Sequence, residues 1–318
     1  MPDILAVSLI VTTRNEEASV AAFLDSLAAG TALPAELIVC DAGSTDRTVE
    51  LFRAAALPGV RTEVFVEAGA NIAAGRNRAV ARSTQEVIAT TDLGCTIDAD
   101  WLVRITEPLL LDPAIDVVSG GYREVGRTRF ERMAAASSIA VTALDAGSFL
   151  PSSRSFALRR AAFDAVGGYP EALSFAGEDT ALCLRLRERR FRFEPRFDAF
   201  VTWHPRATLG AFLRQHLLYG IGDGESRMRE GFHHRVLVKW TLVVVVVVAC
   251  VVAAWLLRCV ALLAVPVVGA AAYYGHLAPK YRWRERPFAE RVGGFLLVAA
   301  KEWALAAGWL RARFGGPR

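Results

Sequence analysis

Residues 87–102, VIATTDLGCTIDADWL, place Asp92, Asp98 and Asp100 within nine positions. Aspartates so close together suit a hard divalent cation, Mg²⁺ or Mn²⁺, which takes oxygen ligands and completes its shell with phosphate oxygens and water. The three acids do not share one context. Asp92 directly follows the apolar run 87–91, so it stands at the end of a buried strand. Asp98 and Asp100 precede WLVRITEPLLL, whose Trp101, Leu102, Ile105 and Leu109 mark one face of a helix. An aspartate there caps the unpaired amides of the first turn. Asp92 is therefore the metal candidate, and the Asp98–Asp100 triplet is expected to start a helix.

The elements that must position these residues alternate along the chain. Residues 4–11 (ILAVSLIV), 37–40, 60–66 and 87–91 are short apolar runs rich in β-branched residues, suited to strands buried on both faces. Helical periodicity lies between them: Val20, Phe23, Leu24 and Leu27 in the first, then 47–55 and 73–82. Asn15 is expected to cap the first helix, with Glu16 and Glu17 in its opening turn. Strands alternating with helices imply βαβ units and a parallel sheet with a nucleotide-type crevice at its carboxyl edge. Polar loops at 12–16, 41–46 and 92–95 would line that edge and suit a phosphorylated ligand. GxGxxG and GxxxxGK[ST] are both absent, which weakens a dinucleotide reading and removes the P-loop. Asp41 and Ser44 could equally close an Asx or Ser/Thr turn.

Of the 318 residues, 53% are hydrophobic and the mean hydropathy is +0.30, high for a chain wholly in water. The excess is local. Residues 240–257 carry no charge, and 259–278 have only Tyr273, Tyr274 and His276 as ionisable side chains. Each stretch is near the ~20 residues that a helix needs to cross a bilayer. His233, His234, Arg235 and Lys239 flank one end, Lys280, Arg282, Arg284 and Arg286 the other, so a membrane hairpin with both ends cytoplasmic is expected. Residues 292–310 are apolar but hold Lys301 and Glu302 at their centre, which favours an interfacial amphipathic helix over a third span. The sequence shows no signal-peptide pattern. Five scattered cysteines without a CxxC pair argue for a reduced compartment and against a disulfide frame or zinc site. The net charge of +4 is modest, and no nucleic-acid partner is expected.

VSLIVTTRNEE, ELIVCDAGSTDRT, AAGRNRAV, ATTDLGC, VGGYPE and GEDTALCLRLRERRFRF together resemble, in order and spacing, the motif set of the family 2 glycosyltransferases, over roughly residues 7–224. The resemblance implies an α/β GT-A fold, Rossmann-like, with a mostly parallel sheet and flanking helices; the apolar stretches after it are expected to form transmembrane helices. It implies that Thr12, Arg14, Glu16 and Asp41 hold the base and ribose of a nucleotide-sugar donor, with Arg76 near its phosphates. Asp92 falls at the family's DxD position, and the implied cofactor is a divalent cation. Here the triplet reads Asp92-Leu93-Gly94, without its second acid, and Ala42 stands where many relatives have a second aspartate. His204, in VTWHPR, matches a late histidine that ligates the metal in some GT-A enzymes; a lone histidine before proline is otherwise more often structural. By resemblance to the ED motif, Asp179 is the general base and Glu178 contacts the acceptor, although acids also belong in the first turn of any helix. Gln215 is present where a QxxRW-type motif often stands, but Leu218 and Tyr219 replace its Arg-Trp half, which argues for single-sugar transfer.

The implied organisation is a catalytic domain over 1–230, a hairpin over 235–279, and a basic linker with an amphipathic helix over 280–318. Gly220, Gly222 and Gly224 suggest either a loop that closes over the donor or a flexible linker into the hairpin. The leading expectation is a multi-pass cell-membrane enzyme with a cytoplasmic catalytic domain. It would move a sugar from a nucleotide-sugar donor to a lipid-linked or other glycan acceptor, among membrane lipids. Two alternatives stay open: a binding scaffold that has lost catalysis, and a nucleotidyltransferase, against which the acidic TTRNEE loop counts.

Overall fold

The computed structural model describes residues 2–138, 151–173, 176–281 and 283–315. Contacts divide the chain into two compact units, Met1–Val125 with Leu144–His204, and Gly126–Ala143 with Pro205–Arg318. In this division residues 126–143 and 205–229 group with the C-terminal helices.

The first unit opens with β1 (Asp3–Thr13), α1 (Glu17–Ala28), β2 (Ala32–Asp41), α2 (Thr48–Ala54), β3 (Arg61–Val66), α3 (Ile72–Arg82) and β4 (Val87–Thr90). It continues with β5 (Cys95–Ile97), α4 (Trp101–Leu111) and β6 (Val117–Glu124). After α5 (Arg129–Ala135), which belongs to the second unit, it resumes with β7 (Phe156–Arg159), α6 (Arg160–Ala165), α7 (Glu178–Glu188) and β8 (Phe193–Trp203). The eight strands form one sheet in the order β3-β2-β1-β4-β7-β6-β8-β5. The alternation of strand side chains builds two cores. Val7, Leu9, Val11 and Val39 face α1, α2 and α4 through Phe23, Phe52 and Trp101. Ile10, Ile38 and Ile88 face α3, α6 and α7 through Val80, Phe163 and Leu182.

Strands β1 to β4 are parallel, as their apolar runs predict. β7 then runs antiparallel to both β4 and β6, and β5 antiparallel to β8, so four of seven pairings are parallel. β2 and β4 flank β1 on opposite sides, so the crevice lies where the strand order reverses, at the carboxyl ends of β1 and β4.

Two local expectations need correction. Asn15 does not cap α1. It sits at φ 54°, a left-handed conformation that asparagine tolerates, and its Oδ1 accepts from the Thr45 amide at 2.8 Å. The amides of Glu16, just before α1, and Glu17, its first residue, instead donate to Thr48 Oγ1, which opens α2, and to Asp46 Oδ2. The Asp98–Asp100 triplet does lead into α4, but neither carboxylate caps it: Asp100 pairs with Arg104 at 2.5 Å, and Asp98 with Arg123.

The second unit is helical: α5, α8 (Leu209–Ser226), α9 (Glu230–Leu256), a 3₁₀ turn (Val260–Leu263), α10 (Ala264–Leu277) and α11 (Phe288–Phe314). Glu230–Leu256 and Val260–Leu277 are long and apolar enough to cross a membrane, and little of either is buried in the protein. Gly220, Gly222 and Gly224 are neither loop nor linker. They lie buried inside α8, where a Cβ on Gly220 would stand 2.0 Å from the Leu305 carbonyl oxygen of α11. Gly308 of α11 approaches the Leu217 carbonyl equally closely. Small residues at this spacing let two helix backbones touch. The two charges at the centre of 292–310 are likewise met by protein. Lys301 donates to the Ser137 carbonyl, and Glu302 accepts from Lys239 Nζ at 2.5 Å and Trp240 Nε1 at 3.0 Å.

Candidate active site

At the carboxyl edge of the parallel strands, Asp41 ends β2 fully buried. Its Oδ1 accepts from the amides of Gly43 (2.9 Å) and Ser44 (2.7 Å), and its Oδ2 from Ser44 Oγ at 2.5 Å. The Asx-turn alternative for Asp41 is thus what the carboxylate does here. Gly43, at φ 89°, permits the turn, where a side chain would be strained. Thr12 is half-buried at the end of β1, against Gly75 of α3; Arg14 is exposed, and Glu16 half-buried, accepting from Ser19 Oγ at 3.2 Å.

The centre of the edge is an ion cluster. Arg76 of α3, only 4% exposed, donates to Glu178 Oε1 at 2.5 Å and to Asp92 Oδ1 at 2.8 Å, and lies 5.3 Å from the centre of the Tyr169 ring. A buried guanidinium stays charged and needs such counterions. One arginine therefore joins the acid after β4 to the acid that opens α7. Glu178 is buried; that burial, and then the adjacent Asp179, raise its carboxyl above the usual range against the pull of Arg76. Asp179 is half-buried, accepting from the Thr180 amide at 2.7 Å and the Ser153 amide at 3.4 Å. Gly177, at φ 92°, makes the left-handed turn from which both acids emerge. Burial also pushes the Tyr169 phenol up to about 12, and its hydroxyl sits 3.0 Å from Ser153 Oγ.

Asp92 keeps a third of its side chain in solvent, 35%, and its second oxygen lies 3.6 Å from Arg154 Nε. The Arg154 guanidinium stands 4.6 Å from the Trp203 ring centre and 5.5 Å from that of Tyr122. Pairing of Cys95 with Trp203 brings His204, one residue on, beside the turn closed by the Cys95 amide and the Asp92 carbonyl. Its Nδ1 is 2.6 Å from the Val125 carbonyl, which can only accept, so Nδ1 carries a proton. Among the described residues, no group of three or more His, Cys, Asp or Glu side chains is placed to hold a metal by itself.

The fold thus gathers Arg76, Asp92, Glu178 and Asp179, sets Thr12 beside α3, and gives Asp98 and Asp100 other partners. Arg154 and Ser153 escape sequence reasoning, since PSSRSF has no distinctive spacing and only the insertion of β7 beside β4 brings it to this edge; Tyr169 lies in the quoted VGGYPE but no role is read for it there.

The model of the family described as Glycosyl transferase family 2 matches residues 8–167. The chain belongs to glycosyltransferase family 2. Succinoglycan biosynthesis protein ExoA of Rhizobium meliloti (strain 1021) is 28% identical to it over 237 residues, 70% of each chain. Among solved structures, the mannosyltransferase PcManGT from Pyrobaculum calidifontis, in complex with GDP-Man and Mn²⁺, superposes with a TM-score of 0.61 at 18% identity. That match covers 100% of this chain and 90% of the other, and at such identity it speaks for the fold, GT-A.

Proposed function

We propose that this family 2 glycosyltransferase moves a hexosyl group, with inversion and one sugar at a time, from a nucleotide-sugar donor to a lipid-linked acceptor. The observation that carries the proposal is the Arg76 bridge, because it holds the donor-side acid, Asp92, and the acceptor-side acid, Glu178, within reach of one guanidinium. Inversion needs a single base to take the proton of the acceptor hydroxyl as it attacks the anomeric carbon. Asp179, next to Glu178 and more exposed than it, has that role, while Glu178 orients the acceptor. Arg76 lies against the donor phosphates, and Thr12, Arg14, Glu16 and Asp41 take the nucleoside.

A divalent cation, Mn²⁺ or Mg²⁺, fits this donor set in part. Asp92 offers a partly exposed carboxylate and His204 would be the second protein ligand, so the donor's phosphates and water must supply the rest. When bound, it would supply positive charge for the departing diphosphate. The PcManGT structure is a complex with GDP-Man and Mn²⁺, which supports a divalent cation here.

Helices α9 and α10 anchor the enzyme, with the catalytic unit on the cytoplasmic face. Support for a lipid-linked acceptor comes from an open face of α9, where Val238, Leu242 and Val243 are joined by His234, Arg235 and Lys239. That combination suits an acyl or prenyl chain with an anionic head. The test is nucleoside diphosphate release by the detergent-purified chain across a panel of nucleotide sugars. Each assay is run with Mn²⁺, Mg²⁺ or EDTA, with membrane lipid extract as acceptor. Metal-dependent release that Asp92→Ala abolishes is expected. Full metal dependence in Asp92→Ala would move the cation elsewhere, and no release from any donor would sink the enzyme reading.

A further inference from the structure

The segment 152–155 is fastened on both sides of Arg154. Thr90 Oγ1 donates to the Ser153 carbonyl at 2.9 Å, and the Ser153 amide reaches Asp179. On the other side, Trp101 Nε1 donates to Ser155 Oγ at 2.8 Å, and that hydroxyl donates to the Ala199 carbonyl at 3.0 Å. The backbone of Arg154 therefore cannot drift from the carboxyl edge without breaking buried hydrogen bonds.

Its side chain, 16% exposed, lies over Trp203 and Tyr122 with Nε 3.6 Å from Asp92 Oδ2. That separation exceeds a hydrogen bond, whereas Arg76 holds the other oxygen of Asp92 at 2.8 Å. Two guanidinium groups thus converge on one carboxylate, and only one is hydrogen-bonded to it. A guanidinium over two aromatic rings is a planar fork of N–H donors, which matches two oxygens of a phosphate.

We propose that Arg154 binds the diphosphate of the donor and stabilises it as the leaving group. This rests on the donor reading above. In the step it serves, the acceptor oxygen bonds to the anomeric carbon while the bond from that carbon to the diphosphate oxygen breaks. The electron pair stays on the diphosphate, and the acceptor's proton passes to Asp179. Arg154 donates hydrogen bonds to the diphosphate as that charge grows, sharing the work of the cation.

The test is calorimetric binding of UDP and GDP, each beside UMP and GMP, to the full detergent-purified chain, in EDTA and in Mn²⁺. Arg154→Met keeps a long side chain to cover the two rings and removes the charge; Arg154→Lys keeps a charge without the fork. Arg154→Met is expected to weaken the diphosphate that the wild type prefers by roughly 10- to 100-fold. The effect should be larger in EDTA, with the monophosphate changed less than about twofold, and Arg154→Lys should recover part of the loss. Unchanged diphosphate affinity in Arg154→Met overturns the proposal while leaving the donor reading intact. An equal loss for mono- and diphosphate also overturns it, since Arg154 would then only maintain the shape of the site. No binding of any nucleotide by the wild type overturns both readings.

Discussion

The two edges of the sheet in the first unit each bury a glutamate against an arginine, and the two glutamates behave in opposite ways. Towards the amino ends of the strands, Glu36 accepts from Ser8 Oγ, the Thr84 amide and hydroxyl, and Arg61 Nη1. Burial by itself would raise its carboxyl, but the hydrogen bonds from Ser8 and Thr84, with Arg61, outweigh it and hold the group near 2. At the carboxyl edge, burial and then the adjacent Asp179 raise the Glu178 carboxyl, although Arg76 hydrogen-bonds to it. A carboxylate whose oxygens are saturated by protein donors pins strands together. One left short of donors, beside a second acid and a half-exposed Asp92, keeps capacity for a ligand.

The contrast breaks most readily at Asp179. If the carboxyl edge does chemistry, Asp179→Asn should lower turnover by ~10²- to 10⁴-fold with little change in melting temperature, measured as nucleoside diphosphate release. A variant that keeps a tenth of the activity would return α7's acids to a purely structural role. Arg76→Met should cost on the order of 3–5 kcal/mol in denaturant unfolding, because it leaves Glu178 buried without its counterion. The double variant Arg76→Met/Glu178→Leu should regain most of that loss while staying inactive. If it regained none, packing of Arg76 on Tyr169 rather than charge would explain the single variant.

Glu36 sharpens the other side. Its folded value lies below the unfolded one, so its contribution is complete above about 4.5 and is lost as pH falls towards 2. The stability difference between wild type and Glu36→Gln should be on the order of 3 kcal/mol near neutral pH and shrink across that window. A difference that stayed flat from pH 6 to pH 3 would show that the unfolded chain shares the depressed value. Smallest is an effect in the second unit, which holds none of the proposed donor-binding residues. Gly220→Ala sets a methyl against the Leu305 carbonyl and should cost about 1–3 kcal/mol in detergent unfolding, with donor affinity unchanged.

Residue patterns alone carry the first four strands, the helices between them, the apolar helices and the acids at 92, 178 and 179, because each depends on local periodicity or a short motif. Burial on both faces makes a strand an apolar run, and a chemically required acid at a strand end stands out against it. Asn15 was legible as a helix cap by local rules, yet partners from the loop 44–48 outcompete that geometry. Gly220, Gly222 and Gly224 read locally as a flexible stretch; their real constraint is the approach of α11, some 80 residues away in the chain. The antiparallel half of the sheet was equally out of reach, since pairing direction depends on where a distant strand inserts. That insertion of β7 beside β4 carries Ser153 and Arg154 to Asp92 and Asp179. Sequence thus determined which residue types could bind a nucleotide sugar and cross a membrane. Tertiary structure alone decided which guanidinium meets which carboxylate, because those contacts join residues that no spacing rule connects.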